Sequence, residues 1–120
     1  MEIGPSDSDA HVIFKGTQEH DHLVELLSPY LPYCKFNDFR LNRYSPDQFM
    51  GKHTDSGYPD HNTFTVRLDS NSDSRLVVKD DVVNESPGLA WILPPNTIHS
   101  VNEGKTYRYS LSTWFVEGQL

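Results

Sequence analysis

The sequence predicts a mainly β chain, a sandwich or barrel of about eight short strands, of which a jelly roll is one form, with one N-terminal helix packed outside it. Three observations carry this reading. From residue 36 onward, short apolar-alternating segments recur at a spacing of roughly 8–12 residues, as in sandwiches and barrels. Clusters rich in Ser, Pro, Asp and Gly separate them, among them Ser45-Pro46-Asp47 and Ser56-Gly57-Tyr58-Pro59-Asp60. Only one stretch, before residue 31, has helical periodicity.

In chain order, residues 11–14 form a short β-like run that Gly16 ends. Thr17 is placed as a helix N-cap, with Glu19 and Asp21 in the first turn where negative charge complements the dipole. Leu23, Leu26, Leu27 and Tyr30 follow the i, i+3, i+4, i+7 rule, and Pro29 and Pro32 limit the helix. On this phase His20 and His22 lie on the solvated side. Strands are expected over 40–44, 49–55, 62–69, 75–79, 81–83, 89–93, 97–101 and 106–116. In the strand over 62–69, Phe64, Val66 and Leu68 share one face, and Thr63, Thr65 and Arg67 share the other. Neither repeats nor linkers divide the chain, so residues 11–120 read as one domain. Residues 1–10 read as a flexible lead-in, polar and acidic, without the basic and apolar regions of a signal peptide.

The chain has 120 residues, of which 36% are hydrophobic, and its mean hydropathy is −0.59. That is enough for a single core with little to spare. No apolar run approaches the roughly 18 residues of a membrane span. The single cysteine, Cys34, excludes an internal disulfide and fits a reducing, cytoplasmic setting. A net charge of −7 repels phosphate backbones, so general nucleic-acid binding is not expected. Arg40, Arg43, Arg67 and Arg75 read as scattered solvated side chains rather than a basic patch.

The chemistry-bearing residues come in a fixed order: His53-Thr54-Asp55, then His99, then Arg108-Tyr109-Ser110. Residues two apart on a strand point the same way, so His53 and Asp55 share a face, as do Arg108 and Ser110. Two imidazoles and one carboxylate cap one face of a ferrous ion and leave the opposite face open, the pattern of non-haem Fe(II) oxygenases. A guanidinium such as Arg108 is suited to hold a carboxylate near that metal through two parallel hydrogen bonds.

Asn42-Arg43-Tyr44 before His53, the segment PGLAWILPPNTIHSV over 87–101, and RYSLSTWF over 108–115 extend the pattern. Together they make residues 42–114 resemble the 2-oxoglutarate/Fe(II)-dependent oxygenases, whose fold is a double-stranded β-helix. The last core strand is similar to that of the prolyl hydroxylase branch. The resemblance implies Fe(II) held by His53, Asp55 and His99, with 2-oxoglutarate and O2 as co-substrates and ascorbate as an accessory reductant. It implies that Arg108, Ser110, Tyr44 and Asn42 meet 2-oxoglutarate, and that Arg67 either assists Arg108 or holds an acidic substrate. Tyr58 and His61, on the loop after the metal strand, are candidates for the substrate entrance; Trp91 and Trp114 read as core. The implied reaction is hydroxylation of an unactivated C–H bond in a prolyl or other residue of a peptide or protein. Residues 70–83 depart from the prolyl hydroxylase branch, with Asn71-Ser72-Asp73-Ser74 in place of a Gly-Gly-x-Leu element. A free amino acid or small metabolite therefore stays open as substrate, as does a cupin-like metal enzyme that does not use 2-oxoglutarate.

Overall fold

The computed structural model describes residues 9–70 and 72–118. Their element order is β1 (Asp9–Ile13), α1 (Gln18–Leu27), β2 (Cys34–Tyr44), β3 (Met50–His53) and β4 (Asn62–Arg67). There follow β5 (Leu76–Val78), β6 (Asp81–Val82), β7 (Ala90–Leu93), β8 (His99–Val101) and β9 (Arg108–Glu117). Two antiparallel sheets face each other, β1-β2-β9-β4-β7 and β3-β8-β5-β6. This is the open sandwich of a jelly roll, with the helix outside it. Asp9 and Ala10, expected in the lead-in, pair with Arg43 and Asn42 as the first rungs of β1. The rest of that lead-in, residues 1–8, lies outside the described residues.

Alternation along the strands of the larger sheet separates two chemistries. Its outer face carries Phe36, Phe39, Phe64 and Phe115, which bury themselves under Leu23, Val24 and Leu27 of the helix. Phe36 and Phe39 both reach this side because the β2–β9 register shifts between them. Against its inner face lies a second, smaller cluster, in which Tyr44 and Trp91 of the larger sheet meet Met50, Leu76, Val78 and Val101 of the smaller one, with Val83 beside them. The remainder of that inner face is polar: Asn42, Thr63, Arg67, Arg108 and Ser110 are all buried. Burying so many polar groups is unfavourable unless each finds a partner.

The helix is rotated from its expected phase. Thr17 is the N-cap, accepting from the His20 N–H. Leu26 and Tyr30 are exposed, however, and His20 is buried. The stripe that meets the sheet is His20, Leu23, Val24 and Leu27, which also satisfies i, i+3, i+4, i+7. His20 Nε2 donates to the Asn37 carbonyl at 2.7 Å, and the ring stands edge-on to Phe39. An imidazole with one satisfied N–H packs more favourably on an aromatic wall than a tyrosine whose hydroxyl would have no partner there. Only His22 stays exposed, as expected.

The turns follow local chemistry. Pro87-Gly88 occupy the centre of the turn that enters β7, with the Leu89 N–H bonded to the Ser86 carbonyl and Gly88 at φ +80. Proline presets the first central position of a type II turn and glycine supplies the positive φ of the second. Lys79 and Asp80, both at positive φ, join β5 to β6, as a two-residue hairpin loop requires.

Candidate metal centre

His53 ends β3 and His99 opens β8, and the two are cross-strand partners. Each ring is oriented by its own strand. His53 Nδ1 donates to the Gly51 carbonyl at 2.7 Å, and His99 Nδ1 donates to the Thr97 carbonyl at 2.8 Å. In the neutral ring, the form that ligates a metal, this fixes the tautomer and turns each Nε2 lone pair inward. They converge on one atom: Asp55 Oδ1 lies 3.4 Å from His53 Nε2 and 3.5 Å from His99 Nε2. Asp55 is not on a strand as expected; it stands in the turn after β3, and Thr63 Oγ1 donates to its other oxygen. The turn brings the carboxylate across rather than alongside His53.

All three donor atoms lie within 4.8 Å of one another. Ligand atoms about 2.1 Å from a divalent ion stand about 3–3.4 Å apart, so this set fits such an ion with little movement. The charges fit as well. Burial alone would push the Asp55 carboxyl up, but the polar contacts with His53 and Thr63, the charge of His99 and the nearby Trp114 indole hold it at about 2. Burial lowers the His99 imidazole, favouring the neutral form that ligates a metal. The hydrogen bond to Asp55 raises His53.

Trp114 is buried, as expected, and also borders this site. Its ring lies flat on that of Tyr58, with centroids 4.4 Å apart and planes 8° apart. Its indole nitrogen is buried without a completed hydrogen bond, although it contributes to holding Asp55 down. His61 packs edge-on to Tyr58, and its Nδ1 is likewise buried and unpaired. Trp114 pairs with Thr63 in the sheet register, which places it beside Asp55. The signal in the sequence was its even spacing from Arg108 and Ser110, which puts all three on the inner face.

The remaining candidates line that same face. Ser110 is flanked by Asn42 on β2 and Arg67 on β4, and Tyr44 is the partner of Arg108. The Tyr44 hydroxyl reaches the Met50 sulfur at 4.0 Å. Both inner arginines are already engaged. Arg67 bonds Asp69 at 3.0 Å and the Ser72 carbonyl. Arg108 is held by Glu85 through two hydrogen bonds, at 2.8 and 2.7 Å. Glu85 is the residue that sequence reasoning missed, since its loop has no periodicity to mark it. Trp91 donates its indole N–H to the Asn84 carbonyl at the end of the same loop, as a structural residue. Of the other arginines, Arg43 pairs with Asp9 at the surface and Arg75 with the Ser72 and Ser74 carbonyls. No helix among the described residues is long and apolar enough to cross a membrane.

No protein-family model matches the sequence, and no curated protein matches it. Solved structures do resemble the fold. A 2OG-Fe(II) oxygenase family oxidoreductase from Burkholderia pseudomallei aligns with a TM-score of 0.70 at 18% identity, covering 87% of this chain and 60% of that one. A viral collagen prolyl hydroxylase from Paramecium Bursaria Chlorella virus-1, in complex with 2OG, gives 0.66 at 15%, covering 92% and 79%. A cupin domain from Bordetella pertussis gives 0.58 at 11%, covering 96% and 99%. The chain thus spans about three fifths of the Burkholderia protein and nearly all of the cupin domain. What these likenesses establish is the jelly-roll fold that 2-oxoglutarate oxygenases, prolyl hydroxylases and cupins share.

Proposed function

We propose that this chain is a 2-oxoglutarate- and Fe(II)-dependent dioxygenase that hydroxylates an unactivated C–H bond. The observation that carries the reading is the convergence of two oriented Nε2 atoms on one Asp55 oxygen. The likeness of fold to a 2OG-Fe(II) oxygenase and to a prolyl hydroxylase supports it. His53, Asp55 and His99 would hold the iron. Arg108, Ser110, Tyr44, Asn42 and Arg67, all on the inner face, are the groups that would meet 2-oxoglutarate, the two arginines after exchanging their present partners. Bound iron and co-substrate supply the activation of O2, with ascorbate as a reductant that keeps the metal ferrous. The chain's own part is to orient and to exclude water. Thr63 aims the Asp55 carboxylate, the Gly51 and Thr97 carbonyls aim the imidazoles, and Tyr58 with Trp114 walls off one side.

For the substrate, we favour a prolyl or other residue in a peptide or protein. The support is the likeness to a collagen prolyl hydroxylase and an aromatic wall of Tyr58, Trp114 and His61, suited to a compact apolar ring. Iron-loaded protein supplied with 2-oxoglutarate, O2 and a panel of prolyl peptides and free amino acids should produce succinate and a product heavier by one oxygen atom. Failure to form succinate, by protein shown to carry stoichiometric iron, would defeat the proposal.

One observation favours a second reading, a cupin-like metal enzyme that does without 2-oxoglutarate. The Arg108 fork is already filled by Glu85. Oxygen uptake that proceeds equally with and without 2-oxoglutarate would select it.

A further inference from the structure

We infer that Glu85 is the resident occupant of the co-substrate's carboxylate subsite, and that a second carboxylate reaches Arg108 only by displacing it. This rests on the reading that the site takes 2-oxoglutarate, and deepens it. The guanidinium and the carboxylate meet fork to fork, Nη1 with Oε1 at 2.8 Å and Nη2 with Oε2 at 2.7 Å. Both side chains are 2% exposed. Glu85 Oε1 also accepts the Leu76 N–H at 2.8 Å. These are the bonds that a guanidinium would offer to an incoming carboxylate.

The position fits the role. Leu76 is paired with Val101, and Val78 with His99. The Glu85 carboxylate therefore sits one pleat, about 6.6 Å along the strand, from the level of the metal ligand. A five-carbon diacid held at the metal by one end would have to span this offset together with the step of about 4.8 Å from β8 to β5. The charge balance is equally specific. Arg67, the other buried guanidinium on this face, is paired with Asp69. Adding a dicarboxylate to the closed site would set two carboxylates against one guanidinium in a dry interior, which is strongly unfavourable. One of them must leave.

Glu85 is built to be the one that leaves. It is the single buried side chain in the run from 84 to 90, whose other members are exposed. The two-residue strand β6 that precedes this run is exposed as well. Withdrawing Glu85 moves this exposed run against the bonds that tie it down, from Arg67 Nη1 to the Glu85 carbonyl at 3.4 Å and from the Gly88 N–H to the Arg67 carbonyl at 3.1 Å, so it needs an incoming carboxylate to take over Arg108. The competition makes Glu85 a specificity-determining residue, because it offsets most of what the distal carboxylate of the co-substrate would otherwise contribute.

The test compares 2-oxoglutarate with pyruvate, which lacks the distal carboxylate, by calorimetric titration of cobalt(II)-loaded protein without oxygen. In the unaltered protein the two should differ by less than about tenfold, because the gain at Arg108 is offset by loss of Glu85. In Glu85→Gln the amide keeps an acceptor for Leu76 but no charge. There 2-oxoglutarate should bind at least about tenfold more tightly than to the unaltered protein, and the gap to pyruvate should widen to about a hundredfold. Equal or weaker binding of 2-oxoglutarate by a folded Glu85→Gln overturns the inference and leaves the proposed function standing. Should that variant not fold, the unaltered protein decides: a gap of about a hundredfold or more overturns the inference, and a gap below about tenfold supports it. If neither protein binds 2-oxoglutarate while cobalt loads normally, the proposed function itself falls, and the inference with it.

Discussion

Replacing Arg108 by methionine should strand a carboxylate in the interior. Glu85 would lose its bonds at 2.8 and 2.7 Å and keep only the Leu76 N–H. Removing one partner of a buried ion pair is destabilising by about 3–5 kcal/mol, because the survivor is a bare charge. The second substitution, Glu85→Gln, discharges that group and retains an acceptor for Leu76, so the double variant should recover about 2–3 kcal/mol of the loss. Urea unfolding followed by the emission of Trp91 and Trp114 measures all four corners of the cycle. In a domain of this size, a loss of 3–5 kcal/mol lowers the melting temperature by upwards of about 10 °C. If the double variant loses the sum of the two single losses within about 0.5 kcal/mol, the side chains do not act as a pair and the reasoning is wrong.

Three further outcomes are expected. His20→Ala should destabilise by about 2–3 kcal/mol through loss of its bond to Asn37 and its contact with Phe39. His22→Ala, on the exposed side, should stay within about 0.5 kcal/mol, and thermal melts separate the two. Thr63→Val removes the hydroxyl that donates to Asp55 with little change of shape, and should weaken cobalt(II) binding by about 10–100-fold; unchanged affinity would remove Thr63 from the site. Burial pushes the Asp69 carboxyl up, but Arg67 and the N–H groups of Tyr109 and Ser72 outweigh that and hold it below the usual range. A carboxyl depressed in the folded state stabilises above its unfolded pKa, and the contribution is lost as pH falls through the folded value. The stability gap between the unaltered protein and Asp69→Asn should therefore be constant at neutral pH and shrink below about pH 4; a gap that persists in acid would refute it.

Most of the strands were legible in the sequence because their signal is local. The alternation of Phe64 and Val66 against Thr63, Thr65 and Arg67 survives in β4, with the apolar pair under the helix and the polar set inside, whereas Leu68, expected on the apolar face, lies past the strand and is exposed. His53 and His99 were legible for the same reason. Each sits where a strand meets a turn, and each is aimed by the carbonyl two residues before it. The helix was half legible. Thr17 marked its start, but two stripes of the same period were available, and only the aromatic face of the sheet selected the one containing His20.

Sequence alone determined which face of most strands is polar, from side-chain direction along an extended backbone, and the order in which the candidate metal ligands arrive. Tertiary structure decided what those polar groups meet. Asp55 reaches the two imidazoles from a turn, Trp114 closes over it from the far sheet, and Glu85 enters from a loop to take Arg108 across a separation of 23 residues. Such partners are chosen by the need to neutralise buried charge once the sheets have closed. That need arises in the folded interior and leaves no period in the chain.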